Sequence, residues 1–136
     1  MKKALVLLAA LVFLGVNIFA DIESSRTLFE DAKLFIELNR HLQPMGGSKY
    51  YRNDSIFMKN YTNYEMEVKI NYTIDMQYDK SATSKRDTTE KFTNQIVKLK
   101  PHESKSIVAT NLYGNGNITN FELVNYRVIE KNYEIR

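Results

Sequence analysis

The stretch MEVKINYTIDMQYD, residues 66–79, alternates between apolar and polar side chains almost without interruption. Its apolar positions are Met66, Val68, Ile70, Tyr72, Ile74, Met76 and Tyr78. Because successive side chains of a β-strand point to opposite faces, this period of two predicts a strand with one face in a core and the other in water. The run exceeds the roughly 3–10 residues of an ordinary strand, so we expect it to bend or to project as a hairpin arm.

Further period-two segments begin at residue 50. We predict strands over 50–59, 92–99, 104–111 and 121–131, with a short last edge over 132–136. The strands are separated by polar turns over 60–63 and 100–103 and by a loop over 79–91. The last residues of that loop could belong to the next strand. The segment YGNGN, 113–117, is the strongest turn signal because Asn-Gly tolerates positive φ. Six or seven strands in about 85 residues favour a mainly β, two-sheet antiparallel sandwich.

Two details of phase refine these strands. Ile96 and Val97 interrupt the alternation of their segment, which predicts a bulge there. Val124, Tyr126 and Val128 share one phase and are expected to face the core together.

Residues 24–42, SSRTLFEDAKLFIELNRHL, have helical periodicity instead. Leu28, Ala32, Phe35, Leu38 and Leu42 fall on one stripe. Thr27 and Glu30 fit a capping box, and Pro44 followed by two glycines ends the segment. We therefore predict an N-terminal helix with its connection over 21–47, followed by a β-sandwich domain over 48–136. The helix would close one end of the sandwich or, less commonly, dock on a partner.

Residues 1–20 have the layout of a secretory signal peptide. Lys2 and Lys3 precede an apolar run from Ala4 to Ala20, which Asn17 interrupts. That run is shorter than the about 20 residues of a spanning helix. We predict cleavage after Ala20, export to the periplasm or the cell exterior, and no membrane span after cleavage. An uncleaved anchor is the less favoured alternative.

Charge and cysteine content exclude several functions. The chain has 19 basic and 16 acidic residues, and cleavage would remove two lysines and no acid. The remaining balance, close to neutral, gives no global field for nucleic acid. There is no cysteine, which excludes thiol nucleophiles, thiolate zinc sites, lipid attachment at the end of the signal peptide and disulfides. An exported chain of this kind must be held by its core alone. The composition, rich in Lys, Asn, Ile and Tyr, is typical of a bacterial chain.

Two stretches show a resemblance to a known family. MKNYTNYEMEVKINYTI resembles the strand, Asn-rich turn and strand of small exported bacterial immunoglobulin-like domains. VKLKPHESKSIVA, 97–109, is similar to their recurrent Leu-x-Pro-Gly-Glu-Ser segment, with His102 at the glycine position. The resemblance covers about thirty residues, implies an immunoglobulin-like sandwich and carries no chemistry. The N-terminal helix departs from the usual pattern.

Candidate catalytic and metal-binding groups are sparse. His41 and His102 have no carboxylate or second histidine at ligand spacing and are expected in solvent. Glu67 and Asp75 share one strand face but lie roughly 27 Å apart, too far for one reacting centre. No Gly-x-Ser-x-Gly elbow and no phosphate-binding glycine loop occurs. We predict no catalytic residues, no metal, no cofactor and no enzyme activity.

Tyrosine is the enriched side chain that suits binding, with nine copies and no tryptophan. Tyr61, Tyr64 and Tyr113 lie among polar turn residues and are our candidate contact residues. The leading hypothesis is an exported, non-catalytic envelope protein that acts through surface contacts with a protein partner. The alternatives are a small-ligand or carbohydrate-binding module and, least favoured, a hydrolase.

Overall fold

Seven strands form the architecture of this computed structural model, which describes residues 22–45 and 50–130. They are β1 (Ile22–Glu30), β2 (Leu34–Pro44), β3 (Tyr50–Asn60), β4 (Glu65–Tyr78), β5 (Thr88–Leu99), β6 (Ser104–Val108) and β7 (Gly114–Ile129). The predicted mainly β fold is confirmed. The predicted signal peptide and the last predicted edge, 132–136, lie outside the described residues.

The strands pair into one mixed sheet in the order β1-β2-β3-β7-β4-β5, with β6 on the same edge of β3 as β7. All pairings are antiparallel except that of β3 with β7, where Asn53 lies opposite Gly116. We call β1, β2, β3 and β6 the first half and β4, β5 and β7 the second half. The two halves are therefore parts of one continuous sheet and not two separate sheets, because the Asn53–Gly116 bridge joins them.

The core lies between the two halves. Leu34, Ile36, Ile56 and Met58 of the first half are fully buried in one cluster with Met66, Val68 and Ile70 of the second. Side chains of this size each stabilise the folded state by about 1.5–3 kcal/mol on burial. The alternation expected of β4 is thus confirmed from Met66 to Tyr72. It changes at Thr73, which is also buried, where the pairing of β4 with both neighbours shifts register.

The free edge of the first half folds back onto the second. The ring of Phe29 in β1 meets that of Tyr126 in β7 edge to face, with centroids 6.0 Å apart. The Tyr126 hydroxyl donates a hydrogen bond to Asp31 Oδ2 in the β1–β2 turn. Burial would raise the pKa of Asp31, but hydrogen bonds from Tyr126 and from two backbone N–H groups outweigh it and lower the pKa. Burial and the same contact raise the pKa of Tyr126 to about 12. These contacts show that the sheet curls.

The predicted helix over 24–42 is wrong, because the described part of that segment is the β1–β2 hairpin. Asp31 Oδ1 accepts the backbone N–H groups of Lys33 and Leu34, both at 2.8 Å, and so forms the turn at the middle of the supposed helix. Leu34, Ile36 and Leu38 also satisfy a period of two. Pairing of β2 with β3 over eleven residues outweighs helical propensity.

The predicted bulge at Ile96-Val97 is also wrong. Both residues pair in register with β4, and the irregularity lies between Phe92 and Gln95, where Asn94 has φ of 52°. Val124 does not share the core face with Tyr126, because a register shift between β4 and β7 places Leu123 on that face and leaves Val124 exposed.

The predicted turn at YGNGN is displaced toward its N-terminus. The chain turns at Leu112 and Tyr113, and Gly114 already begins β7. Gly114 and Gly116 are needed because neighbouring backbone approaches them closely, and not because they adopt a positive φ. A Cβ at Gly114 would lie 1.8 Å from the carbonyl O of Gln77, and one at Gly116 would lie 2.0 Å from that of Ala109.

Candidate functional site

The three candidate tyrosines lie at opposite ends of the curled sheet. Tyr61 and Tyr64 are in the β3–β4 connection and Tyr113 is in the β6–β7 connection, with exposed fractions of 42%, 43% and 44%. Glu65 begins β4 beside the first pair, and Tyr78 ends β4 opposite Gly114. Thirteen strand steps separate these points, at most about 43 Å at 3.3 Å per residue. The structure therefore does not bring the three residues into one site.

We call the turns over 31–33, 61–64 and 100–103 the Tyr61–Tyr64 end. Its centre is Asn60, whose side chain is fully buried. Asn60 Nδ2 donates to the carbonyl O of Tyr64 at 2.7 Å and to that of Lys100 at 2.9 Å. Asn60 Oδ1 accepts the backbone N–H and the hydroxyl of Thr62, both at 2.8 Å. One amide thus fixes the loop that carries both tyrosines.

The 100–103 turn completes this end of the molecule. His102 adopts φ of 61°, the left-handed region in which glycine is favoured. Its Nε2 lies 2.7 Å from Asn63 Oδ1, and its carbonyl O accepts the Lys59 ammonium at 2.8 Å. The expectation of an exposed His102 is confirmed, and this side chain links two loops.

The opposite surface, the Tyr113 end, comprises Met45, the first residues of β3 (50–52), the 79–87 loop and residues 111–113. Asn111 is its buried hub and donates to the carbonyl O atoms of Gln77 and Asn115 at 3.2 and 3.0 Å. Tyr51 donates its hydroxyl to Asp79 Oδ2 at 2.8 Å, and the Asp79 N–H donates to the Tyr113 carbonyl at 2.6 Å. Three segments distant in sequence are therefore held together.

Asp54 lies where the two halves join, and it is fully buried. Its Oδ1 accepts Arg40 Nε at 2.8 Å, and its Oδ2 accepts the backbone N–H of Ile118 at 2.9 Å. The Arg40 side chain is 39% exposed. This arrangement is a structural ion pair, in which one carboxylate joins β2 of the first half to β7 of the second.

His41 does not lie in solvent, contrary to expectation. It is half-buried on β2, with Nε2 3.0 Å from the hydroxyl of the buried Ser55. Burial lowers the pKa of His41, and the charge of Asp54 opposes that shift in part. A serine–histidine pair is one element of a nucleophilic site. The Asp54 carboxylate is hydrogen-bonded to Arg40 and Ile118, and it precedes Ser55 on a strand whose successive side chains face opposite ways.

The polar face of β4 makes contacts between strands. Glu67 Oε1 accepts Arg127 Nη2 at 2.9 Å, at a depression also lined by Lys69, Ile96 and Asn125. Asp75 accepts the Thr89 hydroxyl at 2.7 Å, which joins β4 to β5. These carboxylates have separate partners, as their spacing along the strand predicts.

Other classes of site have no counterpart in the part of the chain that the structure describes. No cluster of three histidine, aspartate or glutamate side chains there could hold a metal ion. None of those residues forms a helix long and apolar enough to cross a bilayer. The chain matches no family model, and no curated protein or solved structure is significantly similar to it.

Sequence reasoning missed the three side chains that hold these surfaces, Asn60, Asn111 and Asp54. The available signal was the triplet Asn60-Tyr61-Thr62, in which asparagine commonly accepts a hydrogen bond from the backbone two residues on. No comparable local signal identified Asp54, because its backbone partner Ile118 is 64 residues away.

Proposed function

We propose that this chain is an exported, non-catalytic protein of the cell envelope with an immunoglobulin-like sandwich fold, and that its Tyr61–Tyr64 end binds a protein partner. One observation carries the proposal. Two exposed tyrosines project from a loop whose backbone is fixed by the fully buried Asn60.

Fixed aromatic side chains suit recognition on energetic grounds. Tyrosine offers a large amphipathic surface and loses few rotatable bonds when it binds. A loop that is already ordered loses less conformational entropy on association, so more of the contact energy appears as affinity. The Asn60 hydrogen bonds supply that order before any partner arrives.

The fold part of the proposal has two supports. Apart from the Asn53–Gly116 bridge that joins them into one curled sheet, the two halves are antiparallel and enclose one core, as the layers of a sandwich do. His102 has a left-handed φ at the position where the similar family segment has glycine, so its backbone there fits the same turn.

Site-specific photocrosslinking in the cells that make the protein tests this function. We expect a crosslinker at Tyr64 to give a discrete protein adduct, and Tyr61→Ser to reduce its yield. A crosslinker at Ile96, exposed on the outer face of the second half, is the matched control and should give none. No adduct at position 64, or the same adduct at 96, would contradict the proposal.

A ligand-binding module is the second candidate, and the depression beside Glu67 favours it. The paired Glu67 and Arg127, with Asn125 and the exposed Ile96, offer several polar groups beside an apolar side chain, a combination that can orient a small ligand. A thermal-shift screen against glycans tests it. A ligand that raises Tm of the parent chain but not of an Asn125→Ala variant would support this candidate.

A further inference from the structure

The Tyr113 end carries a group of exposed large hydrophobic side chains, more than the Tyr61–Tyr64 end carries. Across residues 22–45 and 50–130, nine large hydrophobic side chains are exposed. Four belong to this end: Met45, Tyr50, Leu112 and Tyr113. Leu112 and Tyr50 are the most open, at 57% and 52%. A cluster of this kind at one end of a sheet marks a surface that meets another phase or partner.

Hydrogen bonds between distant segments fix the backbone that carries these residues. The Tyr113 carbonyl accepts the Asp79 N–H, and Asp79 in turn accepts the Tyr51 hydroxyl. The Arg52 N–H donates to Asn115 Oδ1 at 2.8 Å, which fixes the start of β3 beside the start of β7. The apolar side chains are therefore presented together by the fold.

Positive charge accompanies the apolar residues. Lys80, Lys85 and Arg86 are exposed on the 79–87 loop, and Arg52 is exposed at the start of β3. The ammonium groups of Lys80 and Lys85 lie 5.9 and 5.7 Å from the centre of the Tyr78 ring. Asp79 and Asp87 are the acidic residues of the same loop, and the Lys80 ammonium pairs with Asp87 Oδ1 at 2.8 Å. Lys85, Arg86 and Arg52 therefore supply the excess of positive charge on this surface.

The N-terminal chain enters the fold at this same end. Ile22, the first residue of β1, lies opposite His41, and β2 ends three residues later at Pro44. The apolar run from Ala4 to Ala20 stops just before that point. Until it is cleaved, the predicted signal peptide therefore adjoins the Tyr113 end along the sequence.

We propose that the Tyr113 end docks on the anionic lipid surface of the membrane across which the chain is exported. Tyrosine and leucine enter the interfacial layer, and the flanking cations meet phosphate headgroups. This orientation directs the Tyr61–Tyr64 end away from the lipid. The inference uses none of the residues on which the proposed partner site depends, so either can fail alone.

An environment-sensitive fluorescent label tests the inference. Because the chain has no native cysteine, a single introduced cysteine can be labelled specifically. The protein is purified after export from cells that express the full sequence, with NBD attached at Leu112→Cys or, as control, at Tyr64→Cys. Vesicles of equal phosphatidylcholine and phosphatidylglycerol should raise the emission at position 112 several-fold and leave position 64 unchanged. Lys85→Ser and Arg86→Ser should each weaken vesicle binding about five-fold.

Four outcomes would overturn the inference. They are no response at position 112, an equal response at both labels, an equal response with pure phosphatidylcholine, and vesicle binding that is unchanged by the two serine variants. A label at 112 that responds to a lipid-free envelope protein fraction and not to vesicles would assign this end to a protein instead. Circular dichroism of each variant establishes that the sheet is retained.

Discussion

Replacing Asp54 by alanine tests whether the two halves of the sheet are held together at their junction. The substitution removes the acceptor for the Ile118 N–H and the partner of Arg40. Removing one partner of a buried ion pair typically destabilises by about 3–5 kcal/mol. Arg40 is 39% exposed, so water recovers part of the loss on that side. The buried Ile118 N–H has no such recovery and costs about 1–3 kcal/mol when left unpaired.

We therefore expect Asp54→Ala to lower the free energy of unfolding by about 2–4 kcal/mol, a large part of the 5–15 kcal/mol typical of a domain. Urea unfolding followed by far-UV circular dichroism measures it. With a slope of about 1.5 kcal/mol per molar, the midpoint should fall by roughly 1.3–2.7 M. Asp54→Asn retains one carbonyl acceptor and should lose less.

Asp75→Ala is the matched control. Asp75 also accepts two hydrogen bonds, but both come from threonine hydroxyls at exposed positions, so we expect a loss below about 1 kcal/mol. An Asp54→Ala variant within about 0.5 kcal/mol of the parent, or no more destabilised than Asp75→Ala, would refute the assignment of the junction to this carboxylate.

Three further predictions concern single residues. Gly116→Ala places a Cβ 2.0 Å from the carbonyl O of Ala109, so we expect loss of soluble protein or a marked fall in Tm. A soluble variant with an unchanged Tm would refute this prediction. Asn60→Ala removes a fully buried amide with its hydrogen bonds to Tyr64, Lys100 and Thr62, and should cost about 2–3 kcal/mol in urea unfolding; a smaller loss than in Thr62→Ala would contradict the role of Asn60 as the centre of the Tyr61–Tyr64 end. The pKa of His41 is lowered on folding, so its contribution to stability is present above about pH 6.5 and is lost as pH falls through the folded pKa. His41→Gln should therefore flatten the stability profile between about pH 7 and 5, and a profile as steep as that of the parent chain would contradict this assignment.

The parts of the fold that could be predicted from the sequence are those in which one period fits and the partner is local. β4 alternates strictly, and no helical stripe competes with its pattern, so its strand character and its buried face followed directly. The β1–β2 segment supports both periods, because Leu38 belongs to a helical stripe and to an alternating set. Only pairing with β3 decides between them, and that pairing cannot be derived from the segment alone.

The candidate sites divide in the same way. The exposure of Tyr61, Tyr64 and Tyr113 could be predicted from their polar neighbours. Their separation could not, because it depends on the direction in which β4 and β7 pair. Gly114 and Gly116 carried a turn signal, but their role is steric and arises from Gln77 and Ala109 on other segments.

The length of β4 sets the greatest distance between the two ends of the molecule. With the Tyr113 end on lipid, a macromolecule bound at the Tyr61–Tyr64 end would stand at most about 4 nm above the headgroups, at a height set by backbone geometry and independent of linker extension. A domain of this shape would act as a rigid spacer, and only partners whose own binding surface reaches that height could be engaged.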